Sequence, residues 1–260
     1  MRTGRIDPVM GIQMLKICDM TYNNPELSDV PDFKVEQIKV IEDKKTDTQG
    51  KVWIQTFRDE SCLVFSFRGT EQKIQDWATD LSARQMVIPY DNPNTASRVH
   101  EGFIKAYKSV RQQVHDSVKW YAEQIPVLNY KKTVRITGHS LGAALATLCA
   151  IDLQYNFGEG KIFETLQAYP FASPRVGNRA FVDSFNKRVT ACWRVVNRAD
   201  LVPDLPLTSM GYRHVDTKVP LGIWNPFEGI ISIFNQKGRF MAQLVNHGVG
   251  IYYDRLKNYK

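Results

Sequence analysis

The chain has 260 residues, of which 43% are hydrophobic and 11% aromatic, which is enough apolar surface for a sizeable buried core. This composition excludes an intrinsically disordered chain, and because no linker-like segment interrupts it we expect one domain spanning residues 1–260. The formal net charge is +7, yet Lys and Arg are scattered and no nucleic-acid motif is present, so we expect no nucleic-acid partner. The charge favours either a weak attraction to anionic lipid or simply a solvated basic surface.

The cysteines and the apolar segments indicate no metal site, no signal peptide and no membrane span. The four cysteines lack the spacing of metal ligands, and three of them lie in apolar runs, which favours buried free thiols over disulfides. The apolar stretch at residues 9–15 is short, interrupted and without a convincing signal cleavage site. No segment approaches the roughly 20 apolar residues of a membrane span. We therefore expect a soluble chain, and the sequence leaves its compartment open, secretion included.

Strand-like and helical patterns alternate along the chain. Strands are predicted at residues 52–57, 62–67, 133–137, 163–169 and 192–197, and helices at 102–124, 141–153 and 180–189. Loops are predicted at residues 91–94 and 157–160. The alternation predicts an α/β fold with a mostly parallel central sheet flanked by helices.

The most informative motif lies between a predicted strand and a predicted helix. Residues 138–142 form Gly-His-Ser-Leu-Gly, and this turn is similar to the nucleophile elbow of α/β-hydrolases. There the serine has strained backbone geometry, and the two glycines leave room where a Cβ would clash. The bare pattern is expected by chance in roughly one chain in ten of this length, so the specificity comes from the flanking strand and helix. Ser140 is therefore the candidate nucleophile.

A nucleophilic serine needs a histidine base, and two histidines are candidates. In α/β-hydrolases the order is serine, acid, histidine, which removes the histidines up to the elbow, His100, His115 and His139. His247 is expected at a loop just before a helical stretch. His214 lies within the strand-like run 212–219, where a side chain is less free to reach the site. We predict His247 as the base, with His214 as the alternative.

The acid that orients this histidine is expected on a loop after a strand. Asp200 follows the strand predicted at 192–197, and open α/β sheets hold their sites at this edge. Asp204, between two prolines, is the reserve candidate. Asp183 on a polar helix face and Asp216 beside His214 suit solvated or structural roles better.

Several further motifs follow one another in a fixed order between about residues 52 and 253. The motifs are Phe67-Arg68-Gly69-Thr70, Asp76-Trp77 with Asp80-Leu81, Val99-His100-Glu101-Gly102-Phe103, Ser173-Pro174-Arg175-Val176-Gly177-Asn178, and Asn-x-x-Asp-x-Val-Pro-x-Leu-Pro at residues 197–206. Together with the elbow, these motifs resemble the fungal-type class 3 lipase family, which has the α/β-hydrolase fold.

The resemblance implies the roles of the site residues. It makes Ser140, Asp200 and His247 a catalytic triad, and it places His214 outside that triad. The elbow offers the amide of Leu141 to an oxyanion, and the resemblance adds Thr70, through its amide and hydroxyl, as the second donor. A threonine that merely ends a strand is the alternative for Thr70.

A short amphipathic pattern follows Thr70. Ile74, Trp77, Ala78 and Leu81 repeat at helical spacing opposite polar residues. The resemblance implies that this helix is a lid that turns its apolar face to lipid, whereas a helix packed permanently on the core shows the same periodicity. A second apolar stretch, residues 221–234, suits an acyl-binding wall, an interfacial loop or the core equally well.

The resemblance implies a lipase that cleaves acylglycerols or related lipid esters at a lipid–water interface or membrane surface, through an acyl-enzyme on Ser140. It implies no metal, no cofactor and no obligatory protein partner. Relatives that prefer phospholipids, galactolipids or aromatic esters leave the head group and acyl chain open. The alternative from another class is a non-catalytic lipase-like module that binds lipid or protein. Such modules typically lose a triad member, and here all three are present.

Overall fold

The computed structural model describes residues 5–22, 25, 27, 34–57, 60–69, 84–88, 96–128, 131–158, 160–215, 218–222 and 246–259. The helices are α1 (Pro8–Asp19), α2 (Glu101–Leu128), α3 (Leu141–Phe157), α4 (Arg179–Arg188) and α5 (Val249–Lys257). The strands are β1 (Lys34–Asp43), β2 (Thr48–Phe57), β3 (Glu60–Phe67), β4 (Gln85–Val87), β5 (Arg98–His100), β6 (Thr133–His139), β7 (Thr165–Phe171), β8 (Ala191–Cys192), β9 (Arg194–Asn197) and β10 (Lys218–Leu221).

The main sheet of the described residues has eight strands in the order β1-β2-β3-β6-β7-β9-β10, with β8 paired to β7. The first three strands are antiparallel, and the pairs from β3 onward are parallel. β4 and β5 form a separate two-stranded sheet. The predicted mostly parallel sheet flanked by helices is therefore confirmed.

Helices cover both faces of this sheet, as alternate residues of β3 show. Leu63 and Phe65 lie in the core formed with α2, α3 and α4, whereas Cys62 and Val64 lie in the core formed with α1 and α5. This alternation follows from the two-residue period of a strand. Because α1 and α5 pack against each other, segments far apart in the sequence close one face of the sheet.

Besides the short strands β4 and β5, the elements that the sequence patterns do not predict include β1 and α1. β1 is an edge strand whose side chains are mostly exposed or half-buried, so it lacks a buried apolar stripe. α1 contains the interrupted apolar stretch and begins at an Asp7 cap, whose carboxylate accepts from the amide of Val9 at 3.0 Å. The strand predicted at 192–197 is split between β8 and β9.

The four cysteines are all buried and free, as predicted. Burial raises the pKa of the Cys192 thiol to about 12, and it also raises the pKa values of Cys18 and Cys149. None of the helices in the described ranges is long and apolar enough to cross a membrane.

Candidate active site

The turn at Ser140 has the strained backbone that the elbow pattern predicts. Ser140 joins β6 directly to α3, has φ 59° and ψ −126°, and is 3% exposed. Its amide donates to the carbonyl oxygen of Phe171 on the neighbouring strand at 3.0 Å. A non-glycine residue at positive φ is held there only by its surroundings, and such strain concentrates at functional sites.

The two glycines of the motif allow the strand and the helix to approach each other. A Cβ on Gly138 would fall inside contact distance of the Gly142 carbonyl, and a Cβ on Gly142 would collide with the Phe67 carbonyl of β3. These clashes are with backbone atoms, which cannot move aside as a flexible side chain can. Both positions therefore require glycine.

One of the two expected oxyanion donors, the amide of Leu141, lies at the same turn. Leu141 is the first residue of α3, so its amide has no acceptor within the helix and lies at the positive end of the helix dipole. Gly69 packs beside the elbow, because a Cβ there would lie 3.2 Å from the Cβ of Ser140. Thr70 is the next residue, and it lies outside the described residues, as do Ile74, Trp77 and Ala78 of the expected lid.

Asp200 and His247 form a buried pair. Oδ2 of Asp200 accepts from Nδ1 of His247 at 2.8 Å and from the hydroxyl of Tyr252 at 2.7 Å, while Oδ1 accepts from the amide of Val202 at 3.0 Å. Asp200 is 4% exposed and His247 5%. Burial, followed by the nearby Asp200 carboxylate, raises the pKa of Tyr252 well above its usual value, so this hydroxyl remains a donor.

The other ring nitrogen of His247 is unused. Within the described part of the chain, Nε2 is buried and has no hydrogen-bond partner. Because Asp200 accepts the proton on Nδ1, the neutral ring presents a lone pair at Nε2. A buried imidazole oriented by a carboxylate, with a basic nitrogen left open, has the form of a general base.

Asn197, at the end of β9, connects the two loops that carry this pair. Its side-chain amide donates to the carbonyl of Asn246 at 2.7 Å, and its side-chain oxygen accepts from the amide of Ala199 at 3.2 Å and from Arg255. Its backbone amide donates to the Tyr252 hydroxyl at 3.0 Å. Asn197 therefore fixes the acid loop and the histidine loop to one strand end.

His139, which directly precedes Ser140, makes a second connection, between the elbow and the loop that carries His247. Its Nε2 donates to the backbone carbonyl of His247 at 2.8 Å, and the two rings lie 4.6 Å apart between centroids. Its Nδ1 therefore accepts from the Tyr22 hydroxyl, 3.3 Å away, and that oxygen accepts from the amide of Gly69 at 3.2 Å. Burial, reinforced by the neighbouring His247, lowers the pKa of His139 well below its usual value, so the ring stays neutral.

The sequence patterns indicate no role for Tyr22, His139 or Tyr252. The position of His139 inside the elbow motif was visible, but its partners come from remote segments. A tyrosine on the helix that follows His247 was the only local signal for Tyr252, and nothing near Tyr22 in the sequence marks it.

The alternative candidates lie elsewhere. His214 is not inside a strand, because the described strand begins at Lys218, and its Nε2 donates to the carbonyl of Pro203 at 2.6 Å. Burial, aided by Arg194, lowers the pKa of His214 to about 2. Asp204 pairs with Arg175 at 3.5 Å, and Asp183 forms an exposed ion pair with Arg179 at 3.0 Å. Asp216 lies outside the described residues.

The described residues contain no group of three or more His, Cys, Asp or Glu side chains placed to hold a metal ion. They instead bring a strained serine, a free helix-terminal amide and a carboxylate-oriented histidine to the carboxyl ends of β6 and β9. This set of groups suits acyl transfer to a serine hydroxyl.

Comparison with known proteins gives consistent matches. The chain is 36% identical to a lipase of Rhizomucor miehei over 155 residues, 60% of this chain and 40% of that protein. It is 37% identical to the secreted mono- and diacylglycerol lipase A of Penicillium cyclopium over 175 residues, 65% of this chain and 50% of that protein. The chain thus spans about half or less of the length of these curated relatives.

A solved structure of Rhizomucor miehei triacylglyceride lipase superposes with a TM-score of 0.65 at 27% identity, covering 82% of this chain and 78% of that one. The likeness extends well beyond the motifs, which supports the α/β-hydrolase fold. The family model described as lipase (class 3) matches residues 64–210, which include the elbow and Asp200. The chain therefore belongs to the class 3 lipase family.

Proposed function

We propose that this protein is a serine carboxylic ester hydrolase that cleaves acylglycerols or related lipid esters. The observation that carries the proposal is the buried His247, held by Asp200 at 2.8 Å with Nε2 left open, in a fold that places a strained serine at a strand-to-helix turn. The mono- and diacylglycerol and triacylglyceride substrates named for the relatives support the substrate class.

In the proposed reaction, Oγ of Ser140 attacks the ester carbonyl carbon while Nε2 of His247 accepts the hydroxyl proton. Asp200 stabilises the imidazolium that forms. The amides of Leu141 and Thr70 hold the oxyanion of the tetrahedral intermediate, and the positive end of α3 favours that charge. When the carbon–oxygen bond breaks, the alcohol leaves with the proton from His247, and an acyl group remains on Ser140.

Water completes the cycle. His247 removes a proton from water as the water oxygen attacks the acyl carbon, and the same proton returns to Ser140 as the carboxylic acid departs. Each step uses side chains, amides and water, so the mechanism requires no metal and no cofactor.

The test is covalent labelling with a fluorophosphonate, combined with hydrolysis of a panel of acyl esters that differ in chain length and head group. We expect labelling of the wild type and none of Ser140→Ala, with ester hydrolysis reduced on the order of 10³-fold or more. Ser97→Ala, which removes another buried hydroxyl, is the matched control and should retain labelling. A folded wild type that neither labels nor hydrolyses any ester supports the non-catalytic module instead.

We also propose that residues 74–81 act as a lid at the lipid interface, with the apolar side chains of Ile74, Trp77 and Ala78 in contact with lipid. Trp77→Ser should reduce hydrolysis of emulsified long-chain esters more than hydrolysis of soluble short-chain esters. The soluble ester reports the chemistry alone, because it reaches Ser140 without adsorption to a surface. Equal losses on both substrates contradict the lid and favour a helix packed on the core.

A further inference from the structure

A basic cavity lies behind the candidate triad, at the outer edge of the sheet. Its volume is about 470 Å³, and four cationic side chains line it. They are Arg175, Arg194, Arg198 and Lys218.

The register of the last two strands builds one wall of this cavity. β9 and β10 are parallel, with Arg194 paired to Lys218 and Val196 to Pro220. These four residues share one face, since alternate residues of a strand do, whereas Val195 and Val219 are buried in the core under α1 and α5. The outward face of the terminal strand pair therefore presents two cations side by side.

The remaining wall combines the loop after β9 with Arg175, which follows β7, and His214, which precedes β10. Hydrogen bonds to the backbone hold the two least exposed arginines of the cavity in place. Nη1 of Arg175 donates to the backbone carbonyls of Pro206, at 2.9 Å, and of Asp204. Nε of Arg194 donates to the carbonyl of Val215 at 3.3 Å. Both guanidinium groups are thus oriented by the backbone, while Arg198 and Lys218 are exposed at the mouth.

The two carboxylates that line the cavity are already engaged. Asp200 accepts from His247 and Tyr252, and Asp204 has a 72% exposed side chain that pairs with Arg175. Among the described groups, cations therefore outnumber carboxylates. Burial, reinforced by Arg194, lowers the pKa of Lys218, and burial followed by Arg194 also lowers that of His214. The excess of positive charge in the lining favours an anion in the cavity.

We propose that this cavity binds a phosphate group, either free phosphate or a phosphate ester such as a lipid head group. Guanidinium forks match the oxygens of phosphate, and cations on several sides suit a dianion better than a single carboxylate. The site goes beyond the proposed hydrolysis, because its lining includes neither Ser140 nor His247.

The experiment is isothermal titration calorimetry of the full chain with inorganic phosphate at low ionic strength. We expect saturable binding that the double variant Arg198→Gln/Lys218→Gln weakens on the order of tenfold. The matched control Lys39→Gln/Lys119→Gln removes the same charge from exposed positions elsewhere and should bind like the wild type. Ser140→Ala should also bind normally, so binding and hydrolysis can fail independently.

Absence of saturable binding overturns the proposal, and so does equal weakening in the control double variant, because the effect then reflects net charge alone. The single variants Arg198→Gln and Lys218→Gln, checked by circular dichroism, separate loss of the site from loss of the fold. Titration with glycerol 3-phosphate distinguishes the sources: tighter binding than inorganic phosphate indicates an ester, and equal or weaker binding indicates free phosphate.

Discussion

Two histidine–carboxylate pairs in this molecule share one contact distance and a tyrosine donor to the carboxylate, and they differ in whether a cationic side chain also bonds that carboxylate. His247 meets Asp200, and His115 on α2 meets Asp152 on α3, each at 2.8 Å with a fully buried carboxylate. Asp152 also accepts two bonds from Arg111, at 2.8 and 2.9 Å, and one from Tyr107 at 2.8 Å. In the described chain, Asp200 receives no bond from an arginine or lysine.

We infer that charge balance, rather than contact distance, separates the proposed catalytic pair of His247 and Asp200 from a structural pair. Arg111 already neutralises Asp152, and the His115 ring packs edge-to-face against Phe157 at 4.8 Å. A tyrosine donor does not neutralise Asp200, so its charge remains available to stabilise an imidazolium at His247. The His115–Asp152 pair links two helices, whereas the His247–Asp200 pair is suited to proton transfer.

The sharpest test of this comparison removes each histidine in turn. His247→Ala should lower kcat/KM on a soluble short-chain ester on the order of 10³-fold or more, because it removes the base that accepts the serine proton in the proposed reaction. His115→Ala should stay within about twofold of the wild type, because its pair lies between helices. His214→Ala, the second control, should remain active. An inactive His115 variant that is still folded contradicts the distinction.

The two carboxylates should differ in what they support: Asp152 mainly stability, and Asp200 mainly activity. Asp152→Asn should lower the free energy of unfolding by about 3 kcal/mol, because it leaves Arg111 without its buried counter-charge, while kcat of the folded fraction is unchanged. Asp200→Asn should lose activity on the order of 10³-fold with a smaller loss of stability. Urea denaturation and kcat of the same preparations measure both quantities. Comparable activity losses in the two variants contradict the prediction.

The pH dependence of unfolding checks the same carboxylate. Although burial opposes it, hydrogen bonds from His115, Arg111 and Tyr107 hold the pKa of Asp152 below its usual value. A lowered folded-state pKa contributes stability that is fully present above the unfolded pKa of about 3.9 and is lost as the pH falls through the folded value. The free energy of unfolding should therefore fall more steeply below about pH 4 in the wild type than in Asp152→Asn.

The smallest expected effect concerns Tyr22, which connects the Gly69 end of β3 to the His139–His247 contact. Tyr22→Phe should reduce kcat roughly 3- to 10-fold with little change in KM, because it removes a positioning hydroxyl and leaves the reacting groups in place. Tyr155→Phe, at an exposed tyrosine, is the control. A change in KM alone, or a loss of stability without a change in kcat, shows that Tyr22 only supports the fold.

The parts of the fold that the sequence predicts are those with local signals. The elbow depends on two glycines next to one serine, and the parallel strands depend on continuous apolar runs, so both could be recognised from neighbouring residues. β1 has no such run, because an edge strand exposed to water needs no apolar stripe. α1 could not be distinguished from an interrupted apolar segment, since its burial depends on contact with α5.

The candidate site likewise contains residues that local sequence signals predict and residues that they do not. Chain order and loop position selected Asp200 and His247 before their contact was known. The Tyr22–His139 bond joins residues 117 positions apart, and the Asp200–Tyr252 bond joins residues 52 apart. Hydrogen bonds of this kind depend on how the helices dock on the sheet, and no periodicity along the chain encodes that docking. Their prediction requires the tertiary structure.

The four buried thiols give the molecule a built-in reporter of its own opening. A thiol reagent attacks the thiolate, and in the folded protein Cys18, Cys149 and Cys192 are both inaccessible and held protonated by burial. Alkylation therefore proceeds only through molecules that have opened, and its rate counts those events. Since Cys18 and Cys62 lie in the core formed with α1 and α5, and Cys149 and Cys192 lie in the core on the other face, mapping which thiols are modified first reveals which face of the sheet opens first.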